Sequence, residues 1–147
     1  MRLQVTPCFI LGNILTSFGA LLRLRCYKTL GKHFTFELCI HNDHTLVDQG
    51  PYSVVRHPSY TGLILTILGA YLNHVGGSWV SECGIASARN GFLGPMIVAL
   101  WILFSLAVIV SLVLRIPCED KILMEKFGEV WVDWSNRVPY ALVPGIY

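Results

Sequence analysis

From Phe92 to Leu114 the chain carries no ionisable side chain. An α-helix needs about 20 apolar residues to cross the hydrocarbon core of a bilayer. Lipid offers the backbone no hydrogen bonds, so a segment of this kind has to be helical. Two further segments share the character. One runs from about Val5 to Leu24, with Asn13, Thr16, Ser17 and glycines among its apolar residues; the other runs from about Ser59 to Val75 and is short for a full crossing. Between the second and third, Gly76 to Gly91 is rich in glycine and serine and reads as a loop, with Trp79 suited to an interface anchor.

Composition agrees. Hydrophobic residues make up 54% of the 147, charged residues 14%, and the mean hydropathy is +0.57. A soluble domain carries about 25% charged residues, so much of this surface has no need of water. The net charge of +2 is too small to imply a nucleic-acid partner. Five cysteines without a CxxC spacing form neither a disulfide framework nor a zinc site, and no metal site is expected. The length predicts a single membrane domain over residues 1–147.

The basic residues predict an orientation. If the first helix runs toward the cytosol, Arg23, Arg25, Lys28, Lys32 and Arg56 share one loop on that side. Arg115, Lys121, Lys126 and Arg137 then join them after the third helix, leaving Arg2 and Arg89 opposite. From Cys118 to Trp134, apolar residues recur at three- and four-residue steps (Ile122, Leu123, Phe127, Val130, Trp131, Trp134). That pattern predicts an amphipathic helix, or a pair broken at Gly128. The expected fold is an all-α integral membrane protein: about three transmembrane helices plus a cytosolic amphipathic C-terminal helical segment.

Polar chemistry collects at the ends of the apolar segments. His44-Thr-Leu-Val47 precedes Gly50-Pro-Tyr-Ser-Val-Val-Arg-His-Pro-Ser-Tyr-Thr-Gly62. Pro58 suits the first turn of a helix, where its missing N–H costs nothing, and His57 then stands at the helix start. Arg115 and Glu119, four residues apart, would face each other on a helix, although Pro117 between them is expected to strain that geometry. An interfacial loop and a positive-inside anchor would account for each cluster separately, but not for their pairing.

Together these blocks resemble the isoprenylcysteine carboxyl methyltransferase family. The Gly50–Gly62 stretch is similar to its signature. His44-Thr-Leu-Val47, Arg115 with Glu119, Phe127-Gly-Glu-Val-Trp131 and Arg137-Val-Pro139 follow in the family's order, over about residues 12–140. The resemblance implies an S-adenosylmethionine-dependent enzyme that methylates the C-terminal carboxylate of a prenylated cysteine. It further implies a multi-pass protein of the endoplasmic reticulum membrane with its active site facing the cytosol. Carried over by motif, the cofactor contacts are His44, Thr45, Leu46, Val47, Tyr52, His57, Pro58, Ser59, Tyr60 and Glu119. Arg115 and Glu119 are the implied catalytic residues, Arg115 contacting the substrate carboxylate while the prenyl chain enters from the bilayer. Family members usually carry further N-terminal helices, so this chain is expected to match the part that begins just before the catalytic core.

Other readings share pieces of the pattern. Val138-Pro-Tyr140 and Pro144-Gly-Ile-Tyr147 resemble the ending of membrane sterol reductases, which use NADPH and also carry a His-Pro-x-Tyr motif. A phospholipid N-methyltransferase would share the cofactor without the carboxylate substrate, and an inactive paralogue would keep only the apolar spans.

Overall fold

The computed structural model describes residues 5–31, 46–74 and 91–146. Among them all regular structure is helical, as expected. Helix α1 covers Pro7–Leu30, a short 3-10 turn covers Gly50–Ser53, α2 covers Pro58–His74, α3 covers Leu93–Phe127 and α4 covers Glu129–Arg137. Among the described residues two helices, α1 and α3, are long and apolar enough to cross a membrane. Their large apolar side chains point outward: Phe18 and Leu21 of α1, and Leu103, Phe104 and Leu106 of α3, are all exposed. An unbroken apolar surface of this extent belongs in lipid. The chain is a small helical membrane protein.

Helix α2 has 17 residues, a rise of about 25 Å, and is not one of those two. Most of the expected Gly76–Gly91 loop lies outside the described residues, as do His44 and Thr45.

Two expected boundaries are corrected. Helix α1 continues beyond Leu24 to Leu30, because Arg23, Arg25 and Lys28 have straight side chains that suit a helix; Lys28 in the last turn also complements the helix dipole. The apolar span and the amphipathic segment are not separate elements. They form one helix, α3, of 35 residues, about 52 Å long, so roughly 20 residues can lie in lipid while the charged end extends past it. Pro117 sits inside this helix. Proline withholds only its own N–H and crowds one carbonyl, and the helix runs on through it with the neighbouring Ile116 buried. The break falls at Gly128, whose φ of +55° is a conformation that favours glycine.

The helices contribute to two compact units, Met1–Gly19 with Ile64–Ser111, and Ala20–Leu63 with Leu112–Tyr147. In the first unit, α1 and α2 meet backbone to backbone. A Cβ on Gly69 would lie 2.6 Å from the Gly12 carbonyl oxygen and against the Thr16 hydroxyl; one on Gly12 would lie 2.7 Å from the Gly69 carbonyl. Small residues allow such close approach where lipid provides no hydrophobic drive. Asn13 Nδ2 donates to Asn73 Oδ1 at 3.2 Å across the same crossing. The second unit has a core of Cys26, Tyr52, Trp134 and Val138, with Leu22, Leu30, Leu46, Val47 and Trp131 packed against it.

Candidate functional site

The site lies wholly in the second unit and begins with how α2 starts. Pro58 opens the helix, and the His57 carbonyl accepts the N–H groups of Tyr60 (3.0 Å) and Thr61 (3.3 Å). This fixes the His57 backbone one residue before a rigid element. The chain after α4 then returns as a strap. The Arg56 N–H donates to the Tyr140 carbonyl (2.9 Å) and the His57 N–H to that of Ala141 (2.8 Å). The Thr61 hydroxyl donates to the Leu142 carbonyl at 2.7 Å, and Arg56 Nη1 reaches the carbonyls of Val138 (3.2 Å) and Pro139 (2.6 Å). Trp134 anchors the strap from behind, its indole N–H donating to the Tyr52 carbonyl at 3.2 Å.

Onto this frame α3 brings Arg115, Glu119 and Asp120. Glu119 Oε1 accepts the Tyr60 hydroxyl at 2.6 Å and Arg115 Nε at 2.7 Å. Its other oxygen lies 3.3 Å from His57 Nδ1. The expected strain from Pro117 does not separate Arg115 from Glu119: one turn of helix still aligns positions i and i+4. His57 Nε2 is 3.0 Å from Asp120 Oδ1, and Arg56 Nη2 is 3.2 Å from Asp120 Oδ2. His57 is 7% exposed, and its ring stacks on Tyr60 with centroids 5.5 Å apart. Burial alone pushes the His57 imidazole down; hydrogen bonds and charge from Asp120 and Glu119 oppose this, and the net displacement is upward.

The remaining motif residues take distinct places. Leu46 and Val47 are half-buried against the Cys26–Trp134 core. Tyr52 is buried within that core, and burial, followed by the neighbouring Cys26 thiol, pushes its phenol up, so it stays neutral. Pro58 is fully buried, and the Ser59 carbonyl accepts Arg23 Nη1 at 3.4 Å. Two participants were not singled out in the sequence. Arg56 counted there only as a basic loop residue, and Asp120 only as part of the polar face of an amphipathic helix. Their signal was adjacency: each is the immediate neighbour of a motif residue, His57 and Glu119.

The cluster sets two carboxylates against two guanidiniums and an imidazole. Nearby, Trp131 carries a buried indole N–H with no acceptor among the described residues. It packs on the same core as Leu46, Val47 and Tyr52. A hydrogen-bond acceptor brought there by a ligand would satisfy it.

Comparison of the sequence with known proteins sets a family beside this geometry. The isoprenylcysteine carboxyl methyltransferase (ICMT) family profile matches residues 11–83. Protein-S-isoprenylcysteine O-methyltransferase B of Arabidopsis thaliana is 30% identical over 130 residues, 87% of this chain and 55% of that protein. The protein-S-isoprenylcysteine O-methyltransferase of Xenopus laevis is 30% identical over 143 residues, 95% of this chain and 42% of that protein. A Delta(14)-sterol reductase of Mus musculus is 26% identical over 102 residues, 69% of this chain but 20% of that protein. The chain belongs to the isoprenylcysteine carboxyl methyltransferase family. It spans about half the length of the curated relatives it matches.

Proposed function

We propose that the chain carries the methyl-transfer site of a membrane enzyme that uses S-adenosylmethionine to methylate the C-terminal carboxylate of a prenylated cysteine, at the cytosolic face of the endoplasmic reticulum membrane. The observation that carries the reading is the meeting of Arg115, Glu119, Tyr60 and His57 at the charged end of an apolar helix. Family membership supports the cofactor and the substrate class.

The residues present fit the cofactor. The Trp131 N–H, without an acceptor among the described residues, suits a ligand that brings one, the apolar side chains of Leu46, Val47 and Tyr52 suit a base, and the Glu119 carboxylate suits the cationic amino-acid end. His44 and Thr45, with Pro58, Ser59 and Tyr60, complete the proposed contacts. When bound, S-adenosylmethionine supplies an electrophilic methyl group on a sulfonium. The face of Tyr60 favours a nearby cation by about 0.5–2 kcal/mol.

The protein's part is mostly alignment. A carboxylate is already ionised at neutral pH, so no general base is required. Arg115, held through Nε by Glu119 at 2.7 Å, presents a planar fork that matches a carboxylate. Fixing that oxygen in line lowers the barrier entropically. The prenyl chain would lie against the exposed apolar faces of the long helices. On this reading the charged end of α3 faces the cytosol, in keeping with nine of the eleven Lys and Arg residues falling on that side.

The test is methyl transfer to a farnesylated cysteine analogue in membranes with matched expression. Arg115→Lys should insert normally yet lose at least about tenfold in rate, since an ammonium cannot reproduce the fork. A variant that methylates at the parent rate would leave Arg115 as an anchor alone. The likeness to a sterol reductase motivates the parallel binding measurement: S-adenosylhomocysteine should bind, and NADPH should not.

A further inference from the structure

We propose that His57 works as a cationic tie between two carboxylates, both ring nitrogens donating, with Asp120 as the positioning residue that sets its charge and orientation. Two distances support it. Nδ1 lies 3.3 Å from Glu119 Oε2 and Nε2 lies 3.0 Å from Asp120 Oδ1. A neutral imidazole has one donor and one acceptor nitrogen, so one carboxylate would face a lone pair; only the imidazolium donates at both.

The carboxylates and the ring that touch the imidazole favour its cation, against the opposing effect of burial. Glu119 and Asp120 approach from α3, and the face of Tyr60 from α2 lies within cation–π range at 5.5 Å between centroids. The strap faces His57 with the Ala141 carbonyl. The cations nearby are engaged elsewhere: Arg56 holds Asp120 Oδ2 and two strap carbonyls, Arg115 holds Glu119 Oε1, and Arg23 of α1 reaches the Ser59 carbonyl. The upward displacement of the His57 pKa agrees with this arrangement.

Two consequences follow. His57 has no ring nitrogen left for a cofactor or a proton transfer, so it acts by holding Glu119 rather than by touching a ligand. Asp120 forms the other end of that hold and is itself fixed by Arg56, which ties the strap to α3. A change at Asp120 therefore reaches the ligand through the His57 charge. The effect on ligand binding rests on the methyltransferase reading; the charge state of His57 does not.

The experiment is nitrogen NMR of histidine-labelled full-length chain in nanodiscs, the His57 signal being assigned by its loss in His57→Gln, alongside binding of S-adenosylhomocysteine across pH. His57 should titrate above the free-histidine midpoint of about 6.5, with both nitrogens protonated below its own midpoint. Asp120→Asn should lower that midpoint by about one unit or more, and Asp120→Glu should largely restore it. S-adenosylhomocysteine affinity should fall as pH rises through the midpoint. Asp120→Asn should then bind like the parent at low pH and about tenfold more weakly well above both midpoints, where a one-unit displacement is a factor of ten. A His57 midpoint in the parent at or below the free value overturns the tie, and an unmoved midpoint in Asp120→Asn overturns the role of Asp120. If the titrations behave as expected while the parent binds no S-adenosylhomocysteine at any pH, the tie stands and the methyltransferase reading falls.

Discussion

The two compact units are held together with a different balance of forces. In the first, Met1–Gly19 with Ile64–Ser111, the contacts are mainly steric: two glycines bring backbones together and Tyr71 and His74 pack on Trp101, with one asparagine hydrogen bond across the crossing. In the second, Ala20–Leu63 with Leu112–Tyr147, a small apolar core around Trp134 is joined to a run of directed polar bonds, from the Trp134 N–H to the Arg56–Asp120–His57–Glu119–Arg115 chain. Lipid-embedded helices have no hydrophobic drive toward each other, so fit has to do the work. Where the same helices carry charge, fit matters less than whether each donor has its acceptor. The first unit should therefore respond chiefly to added volume, and the second more strongly to pH.

The strongest way to break this contrast is to add volume at the glycine crossing. Gly69→Leu places its Cβ 2.6 Å from a backbone oxygen that cannot rotate away. Overpacking of that kind costs about 1–3 kcal/mol or more, so the variant should lose helix α1–α2 protection in hydrogen exchange. The amides of Arg56, His57 and Val138 should stay protected if the units respond separately. Loss of protection in both would mean that the steric crossing also supports the polar network.

Next in size is the buried indole bond. Trp134→Phe keeps most of the volume but leaves the Tyr52 carbonyl without its donor at a position only 3% exposed. An unsatisfied buried group costs about 1–3 kcal/mol. Thermal unfolding should fall accordingly, with exchange rising first over the strap at 138–142.

How far the sequence foretold this contrast depends on the kind of information involved. The apolar unit was legible because hydropathy is a local property: the uncharged run ending at Leu114 names its own environment. Its packing was not, since nothing in the sequence says that Gly12 and Gly69 face one another. The polar unit was legible in part. His57, Tyr60, Arg115 and Glu119 stand in ordered motifs and were expected to share a site, and α3 and α2 do bring them together. Arg56 and Asp120 escaped notice because a charged residue beside a motif looks like any solvated charge until a third element meets it. The split placed between Leu114 and Cys118 failed for a similar reason. Proline is a strong local break signal, and only the packed strap and the polar cluster show why the helix continues past Pro117.

A smaller effect separates the units by pH. The His57 pKa is raised in the folded protein, so the stability it provides is complete below the unfolded value of about 6.5. That stability is lost as pH rises through the folded value. Protection factors, corrected for intrinsic exchange, should drop with rising pH for the amides of Arg56, His57 and Thr61, while those around Gly12 and Gly69 stay level. A parallel decline in both units would show that the pH response is global and does not originate at His57.

The smallest effect tests whether position or burial gives a polar bond its weight. Arg137 belongs to the Arg-Val-Pro motif and pairs with Asp48 at 3.2 Å, but the two side chains are 67% and 38% exposed. A pair that open to solvent contributes about 0–1 kcal/mol and is screened by salt. The residue after it behaves differently: Val138 is 5% exposed, and its N–H donates to the Trp134 carbonyl at 2.9 Å. The structural weight of the motif thus falls on Val138 rather than on the charge beside it. Arg137→Ala should lower stability by no more than about 0.5 kcal/mol, and high salt should erase the difference from the parent. If Arg137→Ala instead costs as much as Trp134→Phe, and salt does not restore parity, exposure is the wrong ruler for this half of the molecule. The contrast between a steric unit and a polar one would then need redrawing around the rim of the site.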